Sequence, residues 1–173
     1  MKKVLFIISA FTLLFFAQSA NAQDKSQDIV DIAVSVDDFS TLVSALKAAD
    51  LVGALKGDGP FTVFAPVNSG FAKIDSNALN SLLEPANKET LSGILTYHVV
   101  SGKLVAKDVV KALEDGKGKV ELTTLNGAIL TAVKTDDGIF LKDGNGSMSK
   151  IAKTDVMASN GVIHIIEDVV MPK

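Results

Sequence analysis

The sequence predicts an α+β domain, because helical and strand-like patterns occupy different parts of the chain. Helical periodicity dominates from residue 28 to about residue 113, and strand-like runs dominate from residue 120 to residue 170. A single apolar run, Phe61 to Ala65, predicts one strand inside the helical part. Separation of helices from strands is typical of α+β domains, in which helices pack beside a sheet.

Two consecutive amphipathic helices are predicted at the start of the domain. Each shows apolar residues at i, i+3, i+4 and i+7, which is the spacing of one helix face. Asp37 or Asp38 lies where a side chain can cap the second helix. A further turn of helix over residues 51–55 ends at the turn sequence Gly57-Asp58-Gly59-Pro60. The two apolar faces are Ile29, Ile32, Ala33 and Val36, and then Phe39, Leu42, Val43 and Leu46.

The early strand ends at Pro66, which has no N–H to donate to a sheet ladder. Asn68 follows it and can cap a short helix that runs to Ile74. Pro85 separates two of the helices that come next. Further helices are predicted over residues 76–83, 88–98 and 106–113.

The last third of the chain predicts strands joined by tight turns. Asn126-Gly127 and Asp136-Asp137-Gly138 are typical of hairpin turns. The last run is apolar at nearly every position, as expected for a strand covered on both faces. The predicted strands are residues 120–125, 128–134, 138–142 and 162–170, and residues 148–158 alternate loosely.

The first 22 residues predict a cleaved secretory signal. Lys2 and Lys3 precede an apolar run, and Ala20-Asn21-Ala22 supplies the small residues that signal peptidase needs. The predicted organisation is a signal peptide over residues 1–22, a mobile leader over 23–27 and a single domain over 28–173. We expect a secreted or periplasmic protein, without stable membrane insertion after cleavage, because the apolar run is shorter than about 20 residues.

The mature chain is acidic and contains neither Arg nor Cys. Without the signal it keeps 15 Lys against 20 acidic residues, a net charge of −5. Nucleic-acid binding needs clustered cations that neutralise phosphate, so this class of function is not expected. Docking on anionic lipid is disfavoured for the same reason. The lack of Cys excludes disulfides, thiol catalysis and Cys-based metal sites.

The two histidines are the main candidates for acid–base chemistry, because His titrates near neutral pH. His98 continues the apolar face of its helix, formed by Leu91, Ile94 and Leu95, so a hydrogen-bonded core histidine is expected. His164 lies in an apolar strand and is expected to be at least partly buried. Two histidines without a nearby set of carboxylates do not predict a zinc site. Nucleophile and phosphate-binding motifs are absent, so no catalytic residue, metal or cofactor is predicted.

Three ordered segments resemble the motifs of the fasciclin (FAS1) domain family. They are a first box at residues 62–71, the segment Tyr97-His98-Val99-Val100 and a second box at residues 160–170. Val67 stands where the family usually has Thr, and Glu167 stands where Asp is more usual. The resemblance covers residues 28–173. It implies a β-sandwich or wedge with several helices packed beside it and with the two boxes on neighbouring central strands. The motif residues expected to be structural are Phe64, Pro66, Asn68, Phe71, Asn160, Gly161 and His164.

The resemblance also implies where a partner would bind. Family members on animal cells bind integrins through the Tyr-His region and through an Asp-Ile pair before the second box. The matching residues here are Tyr97, His98, Asp155 and Val156, with Val156 in place of Ile. We therefore expect an exported, non-catalytic adhesion or binding module that recognises a cell-surface or matrix component, either a surface protein or a polysaccharide.

Two other functions stay open at this level. The alternative is a periplasmic carrier of a hydrophobic small molecule, since some proteins of the family bind pigments or lipids. A carrier needs an apolar pocket of roughly 300 Å3 or more. The third hypothesis is a hydrolase that uses His98 or His164 as a base, although neither lies in a recognisable nucleophile arrangement.

Overall fold

A computed structural model describes residues 27–173. The predicted signal peptide and the leader up to residue 26 lie outside this range. The described residues form an α+β domain, as predicted. No helix within residues 27–173 is long and apolar enough to cross a membrane. The helices are α1 Ile29–Ser35, α2 Ser40–Ala48, α3 Val52–Leu55, α4 Asn68–Phe71, α5 Ser76–Leu82, α6 Lys88–Tyr97 and α7 Ala106–Asp115.

Helix α1 begins at a reciprocal cap formed by two aspartates. The N–H of Asp31 donates to the carboxylate of Asp28 at 2.8 Å, and the N–H of Asp28 donates to that of Asp31 at 3.2 Å. The ammonium of Lys56 donates to both carboxylates, at 2.9 and 2.6 Å. The hydrogen bond from Lys56 lowers the pKa of the Asp31 carboxyl group. The residue that follows α3 is thereby fastened to the start of α1.

Helix α2 is not capped by the aspartates that precede it, so that prediction is wrong. Asp37 and Asp38 lie in a short 3-10 turn, Asp37–Phe39, and neither side chain bonds the first turn of α2. A second 3-10 turn, Pro85–Asn87, precedes α6. The start of α2 is bonded instead by a side chain from a distant part of the chain, Asn68.

The sheet has seven strands in the order β2-β1-β7-β6-β5-β4-β3. β1 and β7 are parallel neighbours, and the other pairs are antiparallel. The two boxes therefore lie on adjacent internal strands, as the resemblance implied. The strands are β1 Phe61–Pro66, β2 Val99–Ser101, β3 Lys119–Thr123, β4 Ile129–Thr135, β5 Gly138–Lys142, β6 Met148–Ala158 and β7 Gly161–Ile166.

The two edge strands, β2 and β3, approach each other and nearly close the sheet. Val100 forms an isolated antiparallel bridge with Thr124, directly after β3. The N–H of Leu125 donates to the carbonyl of Val99 at 2.8 Å. Near-closure leaves little exposed sheet edge to pair with another chain.

Strands β1 and β7 separate two hydrophobic cores, which explains why both are apolar at consecutive positions. Val63, Ala65 and Ile163 pack on one side, in a core that also contains residues of α1, α2 and α6. Phe64 and Ile166 point to the other side, into a core closed by α7. Side chains alternate between the faces of a strand, so burial on both sides requires an apolar residue at every position.

The chain leaves the sheet after Ile166, four residues earlier than predicted. Apart from the N–H of Glu167, which donates to the carbonyl of Lys150 in β6 at 3.0 Å, the tail that follows is held by side chains. The N–H of Asp168 donates to the hydroxyl of Ser149 at 2.9 Å, and the N–H of Met171 donates to the carboxylate of Asp143 at 3.0 Å. Val170 is buried although it lies outside any strand. Its apolar character explains why the sequence pattern extends the strand too far.

Candidate functional site

Asn68 of the first box joins the start of α4 to the start of α2. Its side-chain oxygen accepts the N–H of Thr41 at 3.0 Å. Its amide group donates to the carbonyl of Asp37 and to the hydroxyl of Ser40, each at 2.9 Å. The prediction that Asn68 caps its own helix is wrong, because the residue before α4 is Val67 and no side-chain cap is formed there. Asn68 caps a different helix, 27 residues away in sequence.

Asn160 of the second box has the same role at α1 and α3. Its side-chain oxygen accepts the N–H of Ile29 at 3.0 Å. Its amide group donates to the carbonyls of Leu55 and Gly57, at 2.7 and 3.0 Å. One side chain thus supplies hydrogen-bond partners to backbone groups at the start of one helix and at the end of another, where these groups lack partners within the helix.

Gly161 follows Asn160 at the point where β7 begins beside β1. A Cβ atom on Gly161 would lie 2.1 Å from the carbonyl oxygen of Phe61, so only glycine fits at this position. Phe71 of the first box is buried in the first core. Pro66 is the last residue of β1, opposite Ile166 of β7. These motif residues set helix and strand positions.

His98 is buried at the end of α6, and both of its ring nitrogens are bonded. Nδ1 lies 2.8 Å from the carbonyl of Ile94, and Nε2 accepts the N–H of Val170 at 3.2 Å. This pairing requires a neutral ring with the proton on Nδ1. Burial lowers the pKa of His98 from 6.5 to about 4. His98 therefore connects α6 to the C-terminal tail as a neutral group.

His164 is also buried, on the same face of β7 as Ile166. Its Nε2 donates to the carbonyl of Leu104 at 2.7 Å, and its Nδ1 faces the N–H of Asp155 at 3.4 Å. The ring stacks on Phe64 of β1 with centroids 5.6 Å apart. Burial lowers the pKa of His164. His164 therefore links β7 to β1, to the segment before α7 and to β6.

The ring nitrogens of both histidines are already hydrogen-bonded. Each ring uses both nitrogens on backbone groups. Within residues 27–173 no group of three or more His, Cys, Asp or Glu side chains is arranged to hold a metal ion.

Tyr97 points away from solvent, into the second core. Its side chain is fully buried, and its hydroxyl donates to the carbonyl of Ile129 at 2.8 Å. Burial raises the pKa of the Tyr97 phenol. Tyr97 and His98 thus fasten the end of α6 to two different parts of the chain, the start of β4 and the C-terminal tail.

Asp155 is half-buried and caps α7. Its carboxylate accepts the N–H of Ala106 at 2.7 Å. Its backbone has a positive φ of 59°, and the pairing of β6 with β7 shifts register between Lys153 and Val156. Val156 returns to the first core and is buried. Among the four predicted binding residues, Asp155 is thus the one that is not fully buried, and the binding role of all four stays a prediction.

Two buried polar residues have roles that the sequence pattern did not predict. The hydroxyl of Thr62 donates to the carbonyl of Gly102 at 2.7 Å and accepts the N–H of Leu104 at 2.9 Å. The carboxylate of Asp143 accepts N–H groups of Asn145, Ser147 and Met171, at 3.0, 2.8 and 3.0 Å. The sequence Asp-Gly-Asn-Gly is typical of an Asx turn and could have indicated part of this arrangement.

The apolar cavities beside the two boxes are small. One, lined by His98, Phe64 and residues of α1 and α2, has a volume of about 20 Å3. Another, beside His164 and α7, has about 10 Å3. A third apolar cavity, near Leu51 and Leu125, has about 120 Å3. All three are well below the roughly 300 Å3 that a small-molecule site occupies.

Comparison with known proteins identifies the family. The fasciclin domain family model matches residues 37–172. This chain belongs to the fasciclin domain family. The match covers the domain from the 3-10 turn before α2 to the end of the tail, and it includes both boxes.

Two proteins are similar to this fasciclin domain over most of their length. Protein sll1483 of Synechocystis is 45% identical over 156 residues, which are 89% of this chain and 78% of the relative. The immunogenic protein MPB70 of Mycobacterium bovis is 34% identical over 159 residues, which are 88% of this chain and 74% of the relative.

A solved structure of a FAS1 domain pair from the insect cell adhesion molecule fasciclin I has the same fold. It superposes with a TM-score of 0.71 at 21% identity, and the match covers 83% of this chain and 50% of the insect chain. Because the identity is low, this similarity concerns the fold alone.

Proposed function

We propose that this fasciclin domain is an exported, non-catalytic binding module that attaches to a cell-surface or matrix component. The observation that carries the proposal is the use of polar side chains in the two boxes and in the Tyr-His segment. The polar side-chain atoms of four residues form hydrogen bonds that fix the positions of helices and strands. These residues are Asn68, His98, Asn160 and His164. A frame of this kind holds a surface in place and leaves recognition to exposed residues.

Asp155 is the residue of the predicted binding set that best suits direct contact with a partner. It is partly exposed in a bulge, and exposed Lys153 lies two residues before it. Tyr97, His98 and Val156 are buried, so their part in binding would be to hold the neighbouring backbone. The partner in this proposal is a surface protein or a polysaccharide.

Export is part of the same proposal. A signal peptide over residues 1–22 would deliver the mature chain, beginning at Gln23, to the periplasm or the cell exterior. The mass of the protein recovered from the cell envelope or the medium tests this directly. A mass that still includes residues 1–22 would contradict cleavage.

Attachment is tested with the full-length gene in its own cells. Deletion should reduce adhesion to matrix-coated surfaces, and the wild-type gene should restore it. The purified mature protein should also be retained by an envelope fraction. Unchanged adhesion after deletion, together with no retention by the envelope, would overturn the proposal.

The carrier hypothesis receives no support from the described residues. Their apolar cavities hold about 20, 10 and 120 Å3, and the larger depressions of about 370 and 270 Å3 are lined in part by charged or polar side chains. A hydrolase is likewise unsupported, because both histidines are engaged with backbone groups.

A further inference from the structure

One face of strands β3 to β5, together with the first residues of β6, belongs to neither hydrophobic core. Leu122, Leu130, Ala132 and Leu141 point inward and are buried. On each strand, the residues that alternate with these inward residues point outward, because side chains alternate along a strand. Ile129 and Met148, 46% and 44% exposed, are among these outward residues. The sheet therefore presents an open outer surface at the end remote from α1 and α2.

Strand pairing places the outward side chains in two rows. The first row runs across all four strands and has a lysine at each end, with two apolar side chains between them. Since neighbouring strands lie about 4.8 Å apart, the Cα atoms of the two end lysines are separated by roughly 14 Å. The rows are Lys119, Val133, Phe140 and Lys150, and then Glu121, Thr131, Lys142 and Met148. We call these eight residues the lysine-row face.

A groove of about 370 Å3 lies on this face. Lys119 and Lys142 line it together with Thr131, Val133 and Met148. Asp143 also borders it, but its carboxylate is occupied by three backbone N–H groups. The groove thus combines cationic ammonium groups, a hydroxyl and apolar side chains.

The charge of this face contrasts with that of the mature chain. Three lysines stand in the two rows against Glu121, whose carboxylate lies 3.2 Å from Lys119. The mature chain as a whole carries a net charge of −5. An anionic ligand would be repelled by the average surface and attracted locally, since screening limits charge interactions to about 10 Å or less at physiological salt.

We propose that the lysine-row face binds an acidic polysaccharide. Such a chain carries carboxylate or sulfate groups at regular intervals and sugar rings with apolar faces between them. The lysines would pair with the anionic groups, and Val133, Phe140 and Met148 would contact the rings. This inference rests on the proposed binding function and names the class of its partner. Each exposed charge pair contributes little, so the affinity comes from several repeats bound together.

The test is a titration of the full mature protein with alginate and polygalacturonate oligomers, with dextran as the neutral polymer. The acidic oligomers should bind, and binding should weaken as salt is raised from about 50 to about 300 mM. The variant Lys119→Ala/Lys142→Ala/Lys150→Ala should bind them roughly tenfold more weakly. Equal binding of dextran, or no binding of either acidic oligomer, would overturn the proposal.

A matched control is Lys47→Ala/Lys107→Ala/Lys111→Ala. It removes the same charge from exposed positions on α2 and α7 and should keep wild-type affinity. An equal loss in both triple variants would show a general charge effect and would overturn the site. Binding to phosphatidylglycerol vesicles in preference to the acidic oligomers would assign the face to a membrane and would also contradict the proposal.

Failure of this site is distinguishable from failure of the proposed function. If the wild-type protein and the lysine-row variant are retained equally by the envelope fraction, the binding function stands and this face is not its site. If the wild-type protein is not retained at all, the proposed binding function is contradicted.

Discussion

The ring of Phe64 stacks on the ring of His164, with centroids 5.6 Å apart and an angle of 27° between the planes. The two residues are also register partners on the parallel strands β1 and β7. This contact joins the two boxes in the interior of the domain. The histidine of the second box therefore has a packing role.

Replacing His98 by Gln should destabilise the domain by about 1–3 kcal/mol. The substitution disrupts the bonds to Ile94 and Val170, two buried backbone groups that then lack their partner. Urea unfolding of the mature protein measures the loss. An unchanged unfolding midpoint would contradict the role of His98 as a connection between α6 and the tail.

Stability should fall between about pH 6.5 and pH 4, in part because of His98. Its pKa is 6.5 in the unfolded chain and about 4 in the folded domain, so the unfolded state binds the proton more readily in this window. The contribution of His98 is fully present above pH 6.5 and is lost progressively down to pH 4, where about 3 kcal/mol is gone. Burial of His164 acts in the same direction, because it also lowers the pKa of that ring.

The pH effect is isolated by comparing the wild type with His98→Gln. Carboxylates titrate in the same range in both proteins, so their contribution cancels in the difference. The free-energy gap between the two proteins should narrow as the pH falls from about 7 to about 4. A gap that is constant with pH would show that His98 does not titrate in this way.

Asn160→Ala should cost about 2–4 kcal/mol of unfolding free energy. The change removes one bond at the start of α1 and two at the end of α3, and it leaves partly buried backbone groups without partners. Asn80→Ala, at a surface position of α5, is the matched control and should change stability by less than about 0.5 kcal/mol. Equal unfolding curves for the two variants would contradict the role of Asn160.

Gly161→Ala should destabilise the domain by more than about 3 kcal/mol or prevent folding. The new Cβ would lie 2.1 Å from the carbonyl oxygen of Phe61, inside the β1–β7 pair. Gly93→Ala on α6 is the control, because a Cβ there meets nothing within 4 Å. It should stabilise by about 0.5–1 kcal/mol, since alanine is the better helix former. Thermal unfolding of both variants checks the contrast, and a stable Gly161→Ala protein would contradict it.

Two substitutions of Asp155 distinguish a structural role of its carboxylate from a binding role. Asp155→Ala should cost about 1–2 kcal/mol, because it loses the bond to Ala106 and places a residue less tolerant of positive φ at this position. Asp155→Asn keeps an oxygen acceptor and tolerates that backbone, so its stability should stay within about 0.5 kcal/mol of the wild type. If the carboxylate contacts the partner, Asn should still weaken retention by the envelope fraction. Retention equal to that of the wild type would limit Asp155 to capping.

Much of the fold follows from local pattern. The apolar spacing of α1 and α2, the Pro that ends β1 and the two hairpin turns each specify their element within a few residues. The apolar runs of both boxes are enough to indicate strands that are covered on both faces. Short elements are less visible, and β2, with three residues, is too brief to show the alternation that predicts a strand.

The bonds of the box asparagines could not be predicted in the same way. Asn68 and Asn160 bond backbone groups that are 27 and 131 residues away in sequence. A pattern of neighbouring residues predicts a local cap, whereas the folded chain brings a different helix end within reach. The bulge at Asp155 has the same origin, because its register shift follows from pairing with β7 and from the position of α7.

Stability and envelope retention, measured on the same variants, show whether the boxes and the Tyr-His segment form a frame while exposed residues recognise the partner. His98→Gln should unfold at a lower urea concentration and, in the cold where it remains folded, should bind the envelope fraction with wild-type affinity. Lys119→Ala/Lys142→Ala/Lys150→Ala should unfold like the wild type and bind more weakly. If His98→Gln instead loses affinity with unchanged stability, the Tyr-His segment is itself the contact site and does not serve only as a frame.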